Sequence, residues 1–250
     1  MPETVTSRHN PLLVHVKKLL SSRAYRQTHG EFAADGVKLL QEALRWKIPI
    51  TAVVLTEGVA CPELPNGVRA VCVPSDVMQS VSAMDAPQGA LFTCRIPDPQ
   101  PLTLSPGTLI LDELQDPGNL GTILRTADAM QVPVVLSEGC ADLWNPKTVR
   151  ASMGALFRTR VSVASRQEII CCARKSGISL IAAALSPRAE DIRNTPLDGA
   201  VIIGNEGRGI SEEFLTAADR EIIIPMNERC ESLNAAAAAA IILWELRRGR

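Results

Sequence analysis

Apolar residues in the first part of the chain recur at spacings that predict helices and then a short strand. One helical pattern is formed by Leu12, Leu13, Val16, Leu19 and Leu20. A second helical pattern runs from about Glu31 to Trp46, and the segment ITAVVL at 50–55 predicts a strand. Apolar runs then alternate with polar turns to about Arg95. This pattern predicts a small α/β domain over residues 1–96.

A proline-rich segment separates this domain from the rest. The segment PDPQPLTLSPG at 97–107 holds prolines at 97, 99, 101 and 106. Proline can neither continue a helix nor donate a hydrogen bond in a central strand. The segment therefore predicts a linker over 97–107, followed by a second domain over 108–250.

Strand and helix patterns alternate regularly in this second domain. Apolar runs that predict strands cover 108–112, 132–136, 159–163, 178–185, 200–204 and 221–225. Runs that are apolar throughout and separated by helices are typical of a parallel sheet buried on both faces. An alanine run at 235–240 opens a last helix, whose basic residues fall in its final turn, as the helix dipole favours.

The composition agrees with a soluble α/β protein. The chain has 250 residues, of which 46% are hydrophobic and 21% are charged. No apolar run approaches the roughly 18 residues that span a membrane, and the N-terminal segment lacks the pattern of a secretory signal. Seven cysteines, an odd number at irregular spacing, do not predict a disulfide framework. We therefore expect a cytoplasmic protein without membrane association.

Basic residues are concentrated near the N-terminus, although the net charge of the whole chain is only −1. Residues 1–30 hold one acidic residue and five basic residues, a net charge of +4; the basic ones are Arg8, Lys17, Lys18, Arg23 and Arg26. All three histidines lie in the same stretch. Clustered cations indicate a phosphate-binding face, or equally the solvated surface of a helix.

A first segment with polar residues follows the first strand of the second domain. In LDELQDPGNLGTILRTADAM at 111–130, residues 116–119 form a turn and a helix start, and Arg125 lies six residues after Asn119. The plain alternative is a capped helix with its arginine in a structural ion pair.

A second segment, VIIGNEGRGISEEF at 201–214, holds three glycines within residues 204–209. Glycines let the backbone turn sharply and approach a ligand closely. The order Gly-x-x-Gly-x-Gly differs from a dinucleotide-binding fingerprint, and no Gly-Lys-Ser or Gly-Lys-Thr exists for a phosphate-binding loop. Glu206 is notable because a plain turn does not require a carboxylate there.

A third segment, EIIIPMNERCESLNAAAAAAIILWE, spans 221–245. Pro225 ends a strand, and Ser232, Leu233 and Asn234 precede the long last helix, whose first backbone N–H groups are free. Ser232 could equally be only the N-cap of that helix.

Taken together, the three segments resemble the SpoU (TrmH) family of the SPOUT superfamily of RNA methyltransferases. NLGTILRTA resembles the first family motif, IIGNEGRGIS resembles the second, and the Ile-Pro-Met and Ser-Leu-Asn sequences at 224–226 and 232–234 resemble the third. The N-terminal region is similar to the ribosomal-protein-like RNA-binding domain of many members. The chain departs from the family pattern at Glu228, where glycine is usual.

The resemblance implies a fold, a cofactor and an assembly. The implied fold is an α/β protein with a trefoil-knotted parallel-sheet catalytic domain, and the implied assembly is a homodimer with its sites at the interface. S-adenosylmethionine is the implied cofactor, and the residues implied to contact it are Gly204, Ile224 and Leu233, with Leu185, Met226 and Ser232 as weaker candidates.

The resemblance gives the central catalytic role to Arg125, which it implies activates the ribose hydroxyl. A free arginine has a pKa of about 12.5 or more, so a role as a cation that stabilises a developing alkoxide stays open beside a role as a base. The same resemblance implies that Asn119, Glu206 and Asn234 orient the arginine, the ribose and the cofactor loop.

The expected substrate is large-subunit ribosomal RNA, with transfer RNA second. A non-catalytic RNA-binding or ribosome-assembly protein is the alternative, but it would be expected to lose Asn119, Arg125, Glu206 or Asn234, and all four are present. A nicotinamide-dependent oxidoreductase would need an early glycine fingerprint. We expect no metal site, because the chain has no Cys-x-x-Cys pair and no histidine beyond His29.

Overall fold

The computed structural model describes residues 2–227 and 229–248, so Glu228 lies outside the described residues. The strands, in chain order, are β1 (Glu3–Thr4), β2 (Glu31–Asp35), β3 (Ile50–Thr56), β4 (Arg69–Val73), β5 (Ala90–Arg95), β6 (Leu109–Leu111), β7 (Val134–Ser137), β8 (Val161–Ala164), β9 (Leu180–Ala183), β10 (Glu190–Asp191), β11 (Ala200–Ile203) and β12 (Arg220–Ile223). The helices are α1 (Pro11–Ser21), α2 (Arg23–His29), α3 (Val37–Arg45), α4 (Ser75–Val81), α5 (Pro117–Ala129), α6 (Pro146–Ala151), α7 (Arg166–Ser176), α8 (Glu212–Ala217) and α9 (Ala235–Arg247), with a 3-10 turn at Ala155–Phe157.

The chain forms two compact units. The N-terminal unit holds the chain up to Asp98 together with Asp142–Arg158, and the C-terminal unit holds Pro99–Ala141 and the chain from Thr159 onward. The boundary at Asp98 falls inside the segment predicted as a linker. No pattern in the sequence predicts that residues 142–158, which follow β7, pack with the N-terminal unit.

The N-terminal unit is built on a mixed sheet. Among the described residues its strand order is β1-β4-β3-β5-β2, with β5 antiparallel to both of its neighbours. Helix α1 buries Leu13, Val16 and Leu19 in the core of this unit. The α/β character predicted for this region is confirmed.

The helix predicted to begin near Glu31 is wrong in its first part. Residues 31–35 form β2, which pairs antiparallel with β5, and the helix α3 begins only at Val37. Phe32, Ala33 and Ala34 are all buried. Three consecutive buried residues suit a strand covered on both faces, and this burial outweighs the helical spacing of the later leucines.

Helices α1 and α2 follow one another in the sequence, and each begins at its own N-cap residue. Asn10 caps α1 by accepting a hydrogen bond from the Leu12 backbone N–H at 2.9 Å, and Ser22 caps α2 by accepting one from the Tyr25 N–H at 3.2 Å. Helix α2 ends at Gly30, whose φ of 61° is left-handed. These caps keep the two basic helices separate but adjacent in sequence.

The C-terminal unit is built on a sheet in which every described pairing is parallel. Its strand order is β10-β12-β9-β11-β6-β7-β8. All six predicted strands are present, with ends within two residues of the prediction. The short edge strand β10 was not predicted, because Glu190 and Asp191 lack an apolar pattern. The prediction of a parallel α/β sheet is confirmed.

The order of the strands brings three loops together. Strands β12, β9 and β11 are neighbours and run in the same direction, so the segments that follow them, near 224, 184 and 204, leave the same edge of the sheet. Open parallel sheets bind ligands at this carboxyl edge. Strand β6 lies beside β11 and places residues 112–116 at the same edge.

The last helix, α9, packs against α5 and buries Ala239, Ile242 and Leu243. Ile241 and Trp244 lie on its exposed side, where Trp244 is 62% exposed. Within residues 2–227 and 229–248, no helix has both the length and the apolar character needed to cross a membrane.

Candidate active site

A cavity of about 590 Å³ lies at the carboxyl ends of β9, β11 and β12. Its lining includes all six residues that the family resemblance implies for the cofactor, which are Leu185, Gly204, Ile224, Met226, Ser232 and Leu233. They come from three loops that are far apart in the sequence. The structure thus brings the predicted cofactor residues together, and their contact with a cofactor stays a prediction.

The cavity suits a small amphipathic ligand. Its apolar wall includes Ile203, Leu215 and Ile222, while Arg188 and Glu221 form an ion pair of 2.8 Å in its lining. The volume lies within the range of about 300–1,000 Å³ found for small-molecule sites. Apolar walls can cover a planar base, and backbone groups at strand ends can read its polar edge.

Gly204 is required by the turn that follows β11. Asn205 and Gly209 exchange two backbone hydrogen bonds of 2.9 and 3.0 Å, and this turn folds back over Gly204. A Cβ atom at Gly204 would lie 2.2 Å from the Gly209 carbonyl carbon and 2.3 Å from the Ile210 nitrogen. The sequence suggested a glycine for ligand approach, but the chain's own backbone already excludes a side chain here.

A hydrogen-bonded chain joins the three motif segments. Asn119 donates from Nδ2 to Glu206 Oε1 at 3.1 Å, and Asn234 donates from Nδ2 to Asn119 Oδ1 at 3.1 Å. Glu206 also accepts from the backbone N–H of Gln115 at 3.1 Å and of Asp116 at 3.2 Å. Glu206 therefore has a structural task that a plain turn would not need, and it holds the start of α5 beside the glycine turn.

Both asparagines lie at helix starts. Asn234 is the N-cap of α9 and accepts from the Ala236 N–H at 2.9 Å, so the alternative that Ser232 is the cap is wrong. Asp116 caps α5 and accepts from the Asn119 N–H at 2.7 Å. Each cap fixes the helical backbone, which in turn fixes the side chain in the hydrogen-bonded chain.

The same contacts keep Glu206 ionised. Partial burial raises the pKa of Glu206, but the hydrogen bonds from Asn119 and from the backbone N–H groups of Gln115 and Asp116 outweigh burial and hold its pKa below the usual value. A carboxylate is the better acceptor for these donors, so the chain of contacts is stable at neutral pH and weakens in acid.

Arg125 lies apart from this chain of contacts. It is exposed on α5, about 120° around the helix from Asn119, because six residues are not a whole number of turns. Its side chain forms no hydrogen bond or ion pair with the described residues, and it is not in the cavity lining. In the described part of this chain, Arg125 therefore has neither the structural ion pair nor the orienting contact from Asn119 that was expected.

Sequence reasoning missed a second polar cluster, which anchors the glycine turn to the end of β6. Asp112, only 1% exposed, accepts from the Ser211 N–H and from Arg166 Nε, each at 2.8 Å. Glu113 pairs with Arg166 and, at 2.7 Å, with Arg208. The available signal was the adjacent pair of carboxylates directly after an apolar strand.

Arg26, predicted to bind RNA, is not available for this role. It is 3% exposed, donates to Asp142 Oδ2 at 2.6 Å and donates to the Leu19 carbonyl oxygen at 2.6 Å. A buried guanidinium whose donors are engaged in this way holds the unit together and cannot meet a phosphate. The prediction failed because Asp142 is 116 residues away in the sequence.

The other predicted basic residues are exposed. Arg8 forms an exposed ion pair with Asp76 at 2.7 Å. Lys17, Lys18 and Arg23 are exposed on α1 and α2, and none has an ion pair with the described residues. Three cations thus remain on this surface for an anionic ligand.

No group of three or more His, Cys, Asp or Glu side chains in the described chain is arranged to hold a metal ion.

Comparison with known proteins decides the family. The model of the SpoU rRNA methylase family matches residues 106–244, and the model of the MRM3-like substrate binding domain matches residues 10–91. The chain belongs to the SpoU rRNA methylase family. The resemblance carried by the three motifs is confirmed, as is the expected substrate-binding domain before the SpoU domain.

Several SpoU relatives are similar over nearly the whole chain. The 23S rRNA (guanosine(2553)-2′-O)-methyltransferase RlmP of Bacillus subtilis is 31% identical, over 97% of this chain and 98% of its own length. The 23S rRNA (uridine(2479)-2′-O)-methyltransferase of Streptomyces viridochromogenes is 30% identical, over 98% and 92%. Among solved structures, an AdoMet-bound rRNA methyltransferase from Sinorhizobium meliloti has a TM-score of 0.87 and 29% identity, covering 98% of this chain and 97% of that one.

Proposed function

We propose that this chain transfers a methyl group from S-adenosylmethionine to a ribose 2′-hydroxyl of large-subunit ribosomal RNA. The observation that carries the proposal is the chain of contacts from Glu206 through Asn119 to Asn234, which joins the three SpoU motifs beside the cavity. The named relatives that align over both units modify 23S rRNA. This agreement favours ribosomal RNA over transfer RNA.

The residues of the cavity fit S-adenosylmethionine. Leu233 and Ile224 supply apolar cover for an adenine ring, and Gly204 contributes to the lining beside them. The ionised Glu206 places negative charge near a cationic ligand. When bound, S-adenosylmethionine supplies a methyl carbon made electrophilic by its sulfonium. The protein must therefore align a ribose oxygen with that carbon and help remove its proton.

Arg125 is the residue that we propose for the ribose oxygen. Its guanidinium can hold a phosphate and an oxygen at once, because it presents several donors in one plane. As a cation it stabilises negative charge that develops on the oxygen as the proton leaves. As a base it would accept the proton itself, and the variants described below separate the two roles.

We further propose that the active protein is a homodimer and that Arg125 acts on the cavity of the partner subunit. Arg125 is exposed and lies outside the contacts at its own cavity. Ile241 and Trp244 leave an apolar strip exposed on α9, the helix that packs against α5. We also propose the trefoil knot that the resemblance to the SpoU family implies, and the match of the family model to residues 106–244 supports it. The cytoplasmic location stays a prediction.

The function is tested by mapping 2′-O-methyl groups. Ribosomal and transfer RNA from cells without the protein should be incubated with the purified chain and labelled S-adenosylmethionine, and the methylated position mapped. We expect one new 2′-O-methyl group in large-subunit RNA. A methyl group found only in transfer RNA, or found on a base, would contradict the proposal.

The role of Arg125 is tested with two variants. Arg125→Lys and Arg125→Ala should both keep the fold and cofactor binding, measured by calorimetry, while single-turnover methylation falls by about 100-fold or more. A much smaller loss for the lysine variant indicates charge stabilisation, and an equal loss indicates geometry or proton transfer. Near-normal turnover in both removes Arg125 from the mechanism.

The shared site is tested by mixing two inactive subunits. Arg125→Ala keeps the cavity, while Ile224→Trp fills the cavity and keeps Arg125. If the two parts come from different subunits, a mixed dimer regains one complete site and activity returns on mixing. If both parts act within one subunit, mixing restores nothing.

A further inference from the structure

Three aromatic rings form a cluster on the basic helices of the N-terminal unit. Tyr25 and His29, both on α2, stack with ring centroids 3.9 Å apart and planes 28° apart. His15 of α1 meets both rings edge-on, with centroids 5.6 Å from Tyr25 and 5.4 Å from His29. The methyltransferase site described above uses none of these rings.

Hydrogen bonds fix the orientation of each ring. His15 Nε2 lies 2.7 Å from Glu31 Oε2, and His15 Nδ1 lies 3.0 Å from the Tyr25 hydroxyl. His29 Nδ1 lies 3.0 Å from the Tyr25 carbonyl oxygen, which can only accept, so this nitrogen carries a hydrogen. Rings that are already fixed lose little conformational freedom when a ligand binds.

The cluster leaves one ring open to solvent. Tyr25 covers one face of His29 and is itself half-buried against the core of the unit, while His29 is exposed. His29 Nε2 has no hydrogen-bond partner among the described residues. The outer face of a fixed imidazole is therefore presented to solvent beside a free ring nitrogen.

One cation lies against the cluster, and two more are exposed on the same helices. Lys18 Nζ lies 5.4 Å from the centroid of the Tyr25 ring, and Lys17 and Arg23 are exposed on the same two helices. None of the three has an ion pair with the described residues. Proteins that bind single-stranded nucleic acid combine such cations, which meet phosphates, with fixed aromatic faces on which bases stack.

We propose that this cluster binds an unpaired nucleobase of the RNA substrate by stacking on the outer face of His29, with Lys18, which lies over the Tyr25 ring, meeting an adjacent phosphate. The proposal rests on the proposed function, because it takes RNA to be the ligand of this unit. A paired base in a continuous duplex has no free face to offer. The cluster thus selects a loop, a bulge or an open strand over a regular helix.

The test measures RNA binding by the full chain through fluorescence anisotropy over a range of salt concentrations. The probes are a labelled single-stranded oligouridine and the duplex that it forms with oligoadenosine. His29→Ala should weaken binding of the single strand by about tenfold, the effect of losing one stacked base. His29→Phe should bind like the wild type, because it keeps the aromatic face, and Gln27→Ala on the same helix is the matched control.

Salt dependence separates stacking from charge. His29→Ala should leave the slope of log K against log salt unchanged, whereas Lys18→Gln should reduce its magnitude by about 0.7, the value for one phosphate contact with a single strand. Binding of the duplex should not respond to His29→Ala.

Three results would overturn the inference. They are equal affinities for His29→Ala and Gln27→Ala, a failure of His29→Phe to restore binding, and no binding of the single strand by the wild-type chain. The proposed function is judged separately, by cofactor calorimetry and by methylation of ribosomal RNA with the same preparations. If one of these three results is found while methylation and cofactor binding are normal, the stacking site is rejected and the enzyme assignment stands.

Discussion

Asn119 connects the three motif segments, because its side-chain amide both donates and accepts a hydrogen bond. The nitrogen donates to Glu206 and the oxygen accepts from Asn234. Asparagine is suited to this position because it carries a donor and an acceptor on one short side chain. Aspartate would have the right size but would bring a second carboxylate against Glu206.

We predict that Asn119→Ala weakens S-adenosylmethionine binding by about tenfold, since a hydrogen bond to a charged group is worth about 1.5 kcal/mol or more. Asn119→Asp should weaken it further through repulsion with Glu206. Calorimetry measures both affinities. Thr122→Ala is the control, because Thr122 is exposed on the same helix and its hydroxyl donates only to the Gly118 carbonyl oxygen. Equal affinities for the two asparagine variants would argue against an ionised Glu206.

Arg26 behaves as a structural residue in spite of its place in a basic stretch. We predict that Arg26→Met lowers the free energy of unfolding by about 3–5 kcal/mol, because it leaves the Asp142 carboxylate, which is only 15% exposed, without its partner. Arg26→Met combined with Asp142→Leu should recover much of this loss. Denaturant unfolding measures the difference, with the exposed Arg23→Ala as a control expected to change stability by less than about 0.5 kcal/mol. A small effect of Arg26→Met would mean that the ion pair contributes little.

At the residue scale, the sequence predicted which side chains matter better than what they contact. The cavity residues were implied by the family resemblance, and they lie together because the parallel sheet brings the segments after its strands to one edge. Arg26, Glu113 and Arg166 were misjudged or missed because their partners lie 53 to 116 residues away in the sequence. The charge of a residue is known from the sequence alone. The identity of an ion-pair partner so far away in the sequence is known only from the fold.

At the element scale, the turn after β11 links the sheet to the cavity. We predict that Gly204→Ala displaces this turn, costs about 3 kcal/mol in the free energy of unfolding and abolishes cofactor binding, because the new Cβ meets backbone atoms that cannot move aside. Thermal unfolding and calorimetry measure the two effects.

Gly207 supplies the matched control for that prediction. A Cβ at Gly207 would approach only Asn205 Oδ1, at an ordinary 3.7 Å. Gly207→Ala should therefore leave stability nearly unchanged. If both variants behave alike, the close approach at Gly204 does not constrain the turn.

Elements with a clear period or a fully apolar run were predicted well, and those without either were not. The six parallel strands of the C-terminal unit are apolar throughout, and all were found. β2 was taken as helix because its alanines suit either structure, and only pairing with β5 decides it. β10 is a strand because it pairs with β12, and no local sequence pattern predicts that pairing.

At the scale of the whole molecule, the exposed side of α9 is the surface to test for self-association. We predict that Trp244→Glu, alone or with Ile241→Glu, converts a dimer to a monomer of 26.9 kDa, because a charge cannot be buried against a second apolar surface without a partner. Sedimentation equilibrium measures the mass. Met153→Glu is the control, since Met153 is also exposed but belongs to the N-terminal unit. A wild-type monomer, or a dimer unaffected by Trp244→Glu, would place the interface elsewhere or reject it.

The segment 142–158 determines which fragments of the protein can fold and how its units can be exchanged. Within the N-terminal unit, Trp144 stacks on Phe32 with centroids 4.5 Å apart, and Asp142 holds Arg26. A fragment that stops at Asp98 therefore lacks part of its own core. A protease that nicks the proline-rich linker would yield two peptides that stay together, since the second one still supplies the missing piece of the first. Exchange of this substrate-binding unit between family members, by recombination or by design, must carry two separate stretches of the gene.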